Sequence, residues 1–235
     1  MGSATAKPAS AKKVLEFSPA TRLQESILSG IEKRCLIGLA QHTPAWINSD
    51  HLTLLGFLSQ CAAGVCYVLA KEDPTFLLVG VGFLALNWLG DSLDGTLARV
   101  RNRQRPRYGF YVDHVTDTIG AFFLMGGLAL SGYIHPAIAV GMLIAFLMLS
   151  VETYLATYTL GKFQLSHFLF GPTEIRIILA IGNIALIKHS VVKVFGWHGR
   201  LFDLGGMIAI CGMGLLFVIS ALRNTWKLYH EEKLD

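Results

Sequence analysis

Four aspartates, Asp91, Asp94, Asp113 and Asp117, lie inside or beside strongly apolar stretches. A carboxylate in a bilayer costs kilocalories, so one kept there points to function. The spacings are three (Asp91 to Asp94) and four (Asp113 to Asp117), which puts each pair on one helix face. Two such faces opposed make an oxygen-rich cage for hard divalent cations. The full pattern is Asp91-Ser92-Leu93-Asp94-Gly95-Thr96-Leu97-Ala98-Arg99, nine residues, then Gly109-Phe110-Tyr111-Val112-Asp113-His114-Val115-Thr116-Asp117. Gly95 and Gly109 have no side chain, so a second backbone or a bulky group can come close. Arginines stand at the rim, where a phosphate would arrive. Carboxylates, divalent metal and guanidinium together point to phosphoryl-group chemistry.

The elements that must position these residues are membrane helices. Of 235 residues, 53% are hydrophobic and 15% charged, the balance of a polytopic membrane protein. Six apolar stretches can span, at 52–70, 75–97, 109–133, 136–160, 174–195 and 202–222, since a span needs about 20 residues. No strand pattern competes, and helices satisfy their backbone within lipid. Residues 22–41 place Leu23, Ile27, Ile31, Leu36 and Leu39 near helical spacing among charges, as in an interfacial amphipathic helix. The expected fold is all-α: a flexible polar N-terminus (1–20), an interfacial helix (21–45), a six-helix membrane domain (46–228) and a polar tail (229–235). Met1–Lys13 lacks the apolar core of a signal peptide, so the first span is expected to act as its own insertion signal.

Arg99, Arg101, Arg103, Arg105 and Arg107 crowd the loop between spans two and three. The positive-inside rule then puts both termini and the active site in the cytoplasm, as in a bacterial-type inner membrane. A short loop pressed against a membrane is a poor nucleic-acid site, and most of these arginines read as surface anchors. Cys35, Cys61, Cys66 and Cys211 show no zinc spacing and read as small buried hydrophobes. His51, His135, His167 and His189 read as structural. The glycines of the final span (Gly205, Gly206, Gly212, Gly214) read as close helix packing.

The motif resembles the signature of the CDP-alcohol phosphotransferase family, D-x-x-D-G-x-x-A-R, eight or nine residues, then G-x-x-x-D-x-x-x-D. Every fixed position is matched. The likeness implies transfer of a phospho-alcohol from a CDP-alcohol donor to a hydroxyl acceptor, with release of CMP, in phospholipid synthesis. It implies that Asp91, Asp94 and Asp113 ligate two Mg2+ ions, or Mn2+. Asp117 would be a ligand or the base, and Gly95, Ala98, Arg99 and Gly109 would flank the CDP moiety. A homodimer among membrane lipids is also implied.

Two features bear on the substrates. The run Asp113-His114-Val115-Thr116-Asp117 and the later Gly171-Pro172-Thr173-Glu174 resemble the choline and ethanolamine phosphotransferases. That likeness makes His114 the general base, oriented by Glu174, and favours CDP-ethanolamine or CDP-choline with diacylglycerol. The short chain instead resembles phosphatidyltransferases that use CDP-diacylglycerol with inositol phosphate, glycerol phosphate or serine. Arg176 and Lys162 would then meet an anionic acceptor. In the family the first span often opens P-N-x-x-T; here the proline is missing and Asp50 stands in the asparagine's place, three residues before Thr53. Outside the enzyme reading stand a divalent-cation transporter and an inactive assembly partner.

Overall fold

The computed structural model describes residues 21–23, 29–160, 162–164, 172–194 and 197–232. These are mostly helical. Seven helices run in order among them: α1 (Ser29–His42), α2 (Ser49–Leu69), α3 (Phe76–Val100), α4 (Pro106–Leu130), α5 (Pro136–Leu160), α6 (Pro172–Lys188) and α7 (Leu201–Glu231). Four short strands pair two by two. β1 (Thr21–Leu23) lies parallel to β2 (Lys162–Gln164), and β3 (Val191–Val194) antiparallel to β4 (Trp197–Arg200).

Helices α2, α3, α5 and α7 are long and apolar enough to cross a membrane. Helix α4 has 25 residues but carries Asp113 and Asp117. Helix α6 has 17 residues, which rise about 25 Å. The ends follow from local chemistry. Asn48 caps α2: its Oδ1 accepts the His51 amide at 3.1 Å, and His51 Nδ1 accepts the Asn48 amide at 3.4 Å. This reciprocal box fixes the first turn. In the turn after α2, Asp73 Oδ1 accepts the Thr75 amide at 2.9 Å, which holds the exposed Asp73 carboxyl below its usual range. Asn102, at φ 53°, takes the left-handed conformation that ends α3, one that Asn tolerates well. Pro106 and Pro136 open α4 and α5, where the missing amide costs nothing. Hydroxyls in the apolar helices are satisfied at home: Thr118, Ser150 and Thr157 donate to carbonyls four residues back.

Helix α2 is the axis of the site-bearing half and packs on both α3 and α4. Small residues allow it. A Cβ on Gly90 of α3 would come within 2.5 Å of the Gly56 nitrogen of α2. A Cβ on Gly127 of α4 would overlap the Gly64 carbonyl of α2. Backbones this close exclude any larger side chain. Two apolar clusters flank the middle of the bundle. One joins Ala63, Tyr67, Leu77, Leu84, Leu124 and Leu128 with Phe202. The other joins Leu36 and Ala40 of α1 to Leu52, Leu93 and Leu97.

Several expectations change. Helices α2 to α5 follow the first four stretches, but α6 stops at Lys188 and β3–β4 takes over. Val191, Val192 and Val194 are β-branched and favour a pleated strand. Helix α7 runs nine residues past the expected 222, because Leu, Lys, Trp and Glu beyond it do not break a helix. Among the final-span glycines only Gly206 is tightly packed, against Ile134, Ile138 and Met142; a Cβ on Gly205, Gly212 or Gly214 would meet no neighbour within 4 Å. Of the cysteines, Cys66 is buried, Cys61 half-buried, and Cys35 and Cys211 are exposed. The polar N-terminus, His167 and residues 233–235 lie outside the described residues.

The glycine contacts make a direct prediction. Gly127→Ala should destabilise the protein by about 1–3 kcal/mol through overpacking. Its neighbour Gly126→Ala should be neutral, since its Cβ would meet nothing within 4 Å. Thermal unfolding of the two variants in one detergent checks this contrast.

Candidate active site

Three helices each present one polar stripe to a common cavity. Helix α2 supplies Thr53, Gly56, Phe57 and Gln60; α3 supplies Asn87, Asp91 and Asp94; α4 supplies Asp113, Thr116 and Asp117. The offsets of three, four and seven are those of a single helix face. All four motif aspartates therefore border one space. Asp94 is the deepest, 5% exposed. Its Oδ2 accepts the Thr53 hydroxyl at 2.5 Å, its Oδ1 accepts the Gly95 amide, and its backbone carbonyl accepts Ser49 Oγ at 2.9 Å. Thr53 and Ser49 thus tie the start of α2 to the carboxylate end of α3.

One cation reaches the cavity from α6. The Arg176 guanidinium meets Asp91 Oδ2 at 2.6 Å and donates through Nε to Asn87 Oδ1 at 2.7 Å. Asn87 passes the link on, donating through Nδ2 to the Gly56 carbonyl at 3.0 Å. This chain from α6 through α3 to α2 leaves Arg176 largely enclosed, with 14% of its side chain exposed.

The donor set fits hard divalent cations. Four carboxylates stand with hydroxyl and amide oxygens around one space, the oxygen-rich chemistry that Mg2+ or Mn2+ prefers. Among the described residues no three acidic, imidazole or thiol groups yet close on a single point. Asp91 is turned to Arg176 and Asp94 to Thr53.

The rest of the motif separates into parts. Ala98 is half-buried and Arg99 is exposed, with the Arg99 guanidinium donating to Thr96 Oγ1 at 3.0 Å. A Cβ on Gly109 would meet no neighbour within 4 Å, and one on Gly95 only Arg99 at 3.4 Å. Arg101 turns away from the cavity and donates to the carbonyls of Ile47, Thr43 and Pro44 at 2.5, 2.7 and 3.0 Å. Arg105 pairs with Asp50 and lies over the Tyr108 ring. Arg101 thus clamps the α1–α2 connection, and Arg105 the first turn of α2, to the loop after α3.

Residues 46–219 fit the family model of CDP-alcohol phosphatidyltransferases. The chain belongs to the CDP-alcohol phosphatidyltransferase family. Its members are membrane-bound transferases of substituted phosphate groups in phospholipid synthesis, generally dependent on divalent metal. One relative is the archaetidylinositol phosphate synthase of Methanothermobacter thermautotrophicus, 31% identical over 87 residues. The match covers 37% of this chain and 42% of that protein.

Of the resemblance's residues, the four aspartates border the cavity, while Gly95, Ala98, Arg99, Gly109, His114, Glu174 and Arg176 fall outside its lining. His114 stands at the α4–α5 contact. Its ring stacks on Phe110, centroids 4.2 Å apart, and meets Tyr154 edge-on at 4.8 Å. Its Nδ1 donates to the Phe110 carbonyl at 2.5 Å. One position on from Asp113, it is turned about 100° around the helix, which carries it off the carboxylate stripe. Glu174 is buried in the first turn of α6. The Lys162 side chain lies outside the described residues. The cavity residues Asn87, Gln60 and Thr116 were not anticipated. Asn87 had a signal: a polar side chain one turn before Asp91 in an apolar run. Gln60 and Thr116 had none, since both suit an ordinary helix.

For this member of the CDP-alcohol phosphatidyltransferase family, Asp94→Asn is expected to abolish any CMP release, by at least about a thousandfold, as when an electrostatic group of a phosphoryl-transfer site is lost. Its thermal unfolding should stay near the parent's. Thr53→Val, which frees Asp94 Oδ2, should lower turnover by about tenfold, the scale of one charge-assisted hydrogen bond. Steady-state CMP release by both variants measures this.

Proposed function

We propose that the protein transfers a phosphatidyl-type group from a CDP-linked lipid donor to a hydroxyl of a phosphorylated polyol, of the inositol phosphate kind, and releases CMP. The observation that carries this is Arg176, whose guanidinium stands among the carboxylates at 2.6 Å from Asp91. A fixed cation at that point attracts an acceptor phosphate. It repels the positive head of a choline or ethanolamine donor and has nothing to recognise on diacylglycerol. The name of the archaeal relative favours the same acceptor class. The preference for aminoalcohol donors drawn from His114 and Glu174 therefore yields.

In this reading the acceptor hydroxyl attacks the phosphorus that carries the lipid alcohol. The bond from that phosphorus to the CMP oxygen breaks, and the acceptor proton passes to Asp117, which borders the cavity. Asp91, Asp94 and Asp113, with Asp117 nearby, would hold two Mg2+ or Mn2+ ions, which when bound would supply the charge that makes CMP a good leaving group. Gly95, Ala98, Arg99 and Gly109 leave room along the α3–α4 end for the cytidine diphosphate. Helices α2 to α7 form a six-span domain within 46–228, and α1 lies at the membrane surface. Exposed Trp46, Tyr108, Tyr158, Trp226 and Tyr229 sit with the arginine loop at one end of the helices, as an interfacial aromatic belt does. That end is the cytoplasmic one by its basic charge.

Purified protein with Mg2+ and a donor panel tests the reading. CMP release is expected from CDP-diacylglycerol with a phosphorylated polyol, and none from CDP-choline or CDP-ethanolamine with diacylglycerol. The opposite pattern would restore the reading in which His114 is the base. Arg176→Ala should raise the acceptor KM by roughly 10- to 100-fold, the loss of about 1.5–3 kcal/mol in a charged hydrogen bond. His114→Ala should keep most activity while Asp117→Asn loses it.

A further inference from the structure

A second buried carboxylate stands outside the aspartate cavity. Glu32, on α1, is 9% exposed. Its Oε1 accepts three donors from two other helices: Trp88 Nε1 at 2.8 Å, Thr173 Oγ1 at 2.9 Å and Ser92 Oγ at 3.2 Å. Trp88 and Ser92 bracket Asp91 on α3. Thr173 stands three residues before Arg176 on α6. The contact thus joins the two helices whose side chains make the Asp91–Arg176 ion pair, and it does so from a helix none of whose described residues lines the cavity. Beside it Leu36 and Ala40 of α1 pack on Leu93 and Leu97 of α3, so the carboxylate sits at the edge of an apolar seam. A buried acceptor shared by three donors holds all three in place, because freeing any one leaves a polar group unpaired.

We propose that Glu32 is a positioning residue that sets the first turn of α6, and with it Arg176, at a fixed distance from Asp91. Helix α1 is then a wall of the acceptor site. The consequence for the reaction rests on the function proposed above; the positional role does not.

Removing the carboxylate lets the α6 end shift while Asp94, Asp113 and the donor side keep their contacts. Glu32→Ala should raise the acceptor KM by about tenfold, since the affinity at stake is that of one displaced charged contact. The donor KM and the unfolding temperature should change little. Glu32→Gln keeps an amide oxygen for the same donors and should recover most of the loss. Thr173→Val should reproduce the acceptor effect, and the double variant should add little to either single one, because both break one link. Equal losses in kcat and both KM values, with a lowered unfolding temperature, would mean a merely structural role. Parent-like kinetics in Glu32→Ala would also overturn the proposal. A readout without catalysis separates this from the functional reading. Spin labels on native Cys35, exposed on α1, and on Ile178→Cys, exposed on α6, are placed with the other three cysteines replaced. They should give one narrow distance, and Glu32→Ala should broaden or shift it. If no donor yields CMP, the functional reading falls while this distance still decides the inference. An unchanged distribution in Glu32→Ala refutes it.

Discussion

Four carboxylates inside an apolar bundle are the constraint from which the other arrangements follow. Each would cost several kilocalories alone in such surroundings. The protein answers with paired neighbours: Thr53 for Asp94, and Arg176 steadied by Asn87 for Asp91. These partners come from α2, α3 and α6, so the charges cannot be accommodated until the three helices are together. The same demand explains why α2 is built of small residues where it crosses its neighbours. Only with Gly56 against Gly90 and Gly64 against Gly127 can the two carboxylate stripes face one narrow space. Helix α2 brings no charge of its own to the cavity; it brings proximity and hydroxyl, amide and carbonyl groups.

The apolar clusters on either side do more than stabilise. Leu77, Leu84, Leu124 and Leu128 close the bundle on one side of the polar layer, and Leu36, Ala40, Leu93 and Leu97 cover it on the α1 side. Between them the local dielectric is low, so a guanidinium or a cation acts on a phosphate far more strongly than it would in water. The farther cluster carries its own polar link, Tyr67 donating to Asn183 at 2.9 Å between α2 and α6. Helix α6 is thus fastened at both ends: to α2 by Asn183, and to α1 and α3 by Thr173 and Arg176. A short helix held this way can present a cation with a defined position.

Legibility in the sequence tracks how costly each feature would be without a purpose. The aspartates stood out because charge in an apolar run is expensive, and all four border one cavity. Helices α2 to α5 were legible because their apolar runs end at Pro, Gly or a cap. The change from α6 to β3 was not, since a run such as Val191-Val192 is apolar in either conformation. Glycine packing was misplaced because composition cannot say which face of a helix meets a neighbour. Gly206 packs and Gly212 does not, though both sit in the same glycine-rich run. Glu32 was invisible for the opposite reason. Among Lys33, Arg34 and other charges of an amphipathic helix, one glutamate reads as solvated. Only the tertiary fold shows it buried against Trp88, Ser92 and Thr173. The setting of His114 against Phe110 and Tyr154 was not legible either, because residue type alone does not say which neighbour a helix face meets.

The placement of Arg176 has a consequence for how the site must work. A guanidinium bound to Asp91 occupies an oxygen that a divalent cation would also seek. A cation drawn to Asp91 would therefore share that carboxylate with Arg176 or compete for it. Asn87 holds the guanidinium from a second side, Nε donating to Oδ1 at 2.7 Å. The same guanidinium offsets part of the carboxylate repulsion that four close acids would otherwise feel. One residue thus serves the carboxylate cluster as a counter-ion fixed from two sides, by Asp91 and by Asn87.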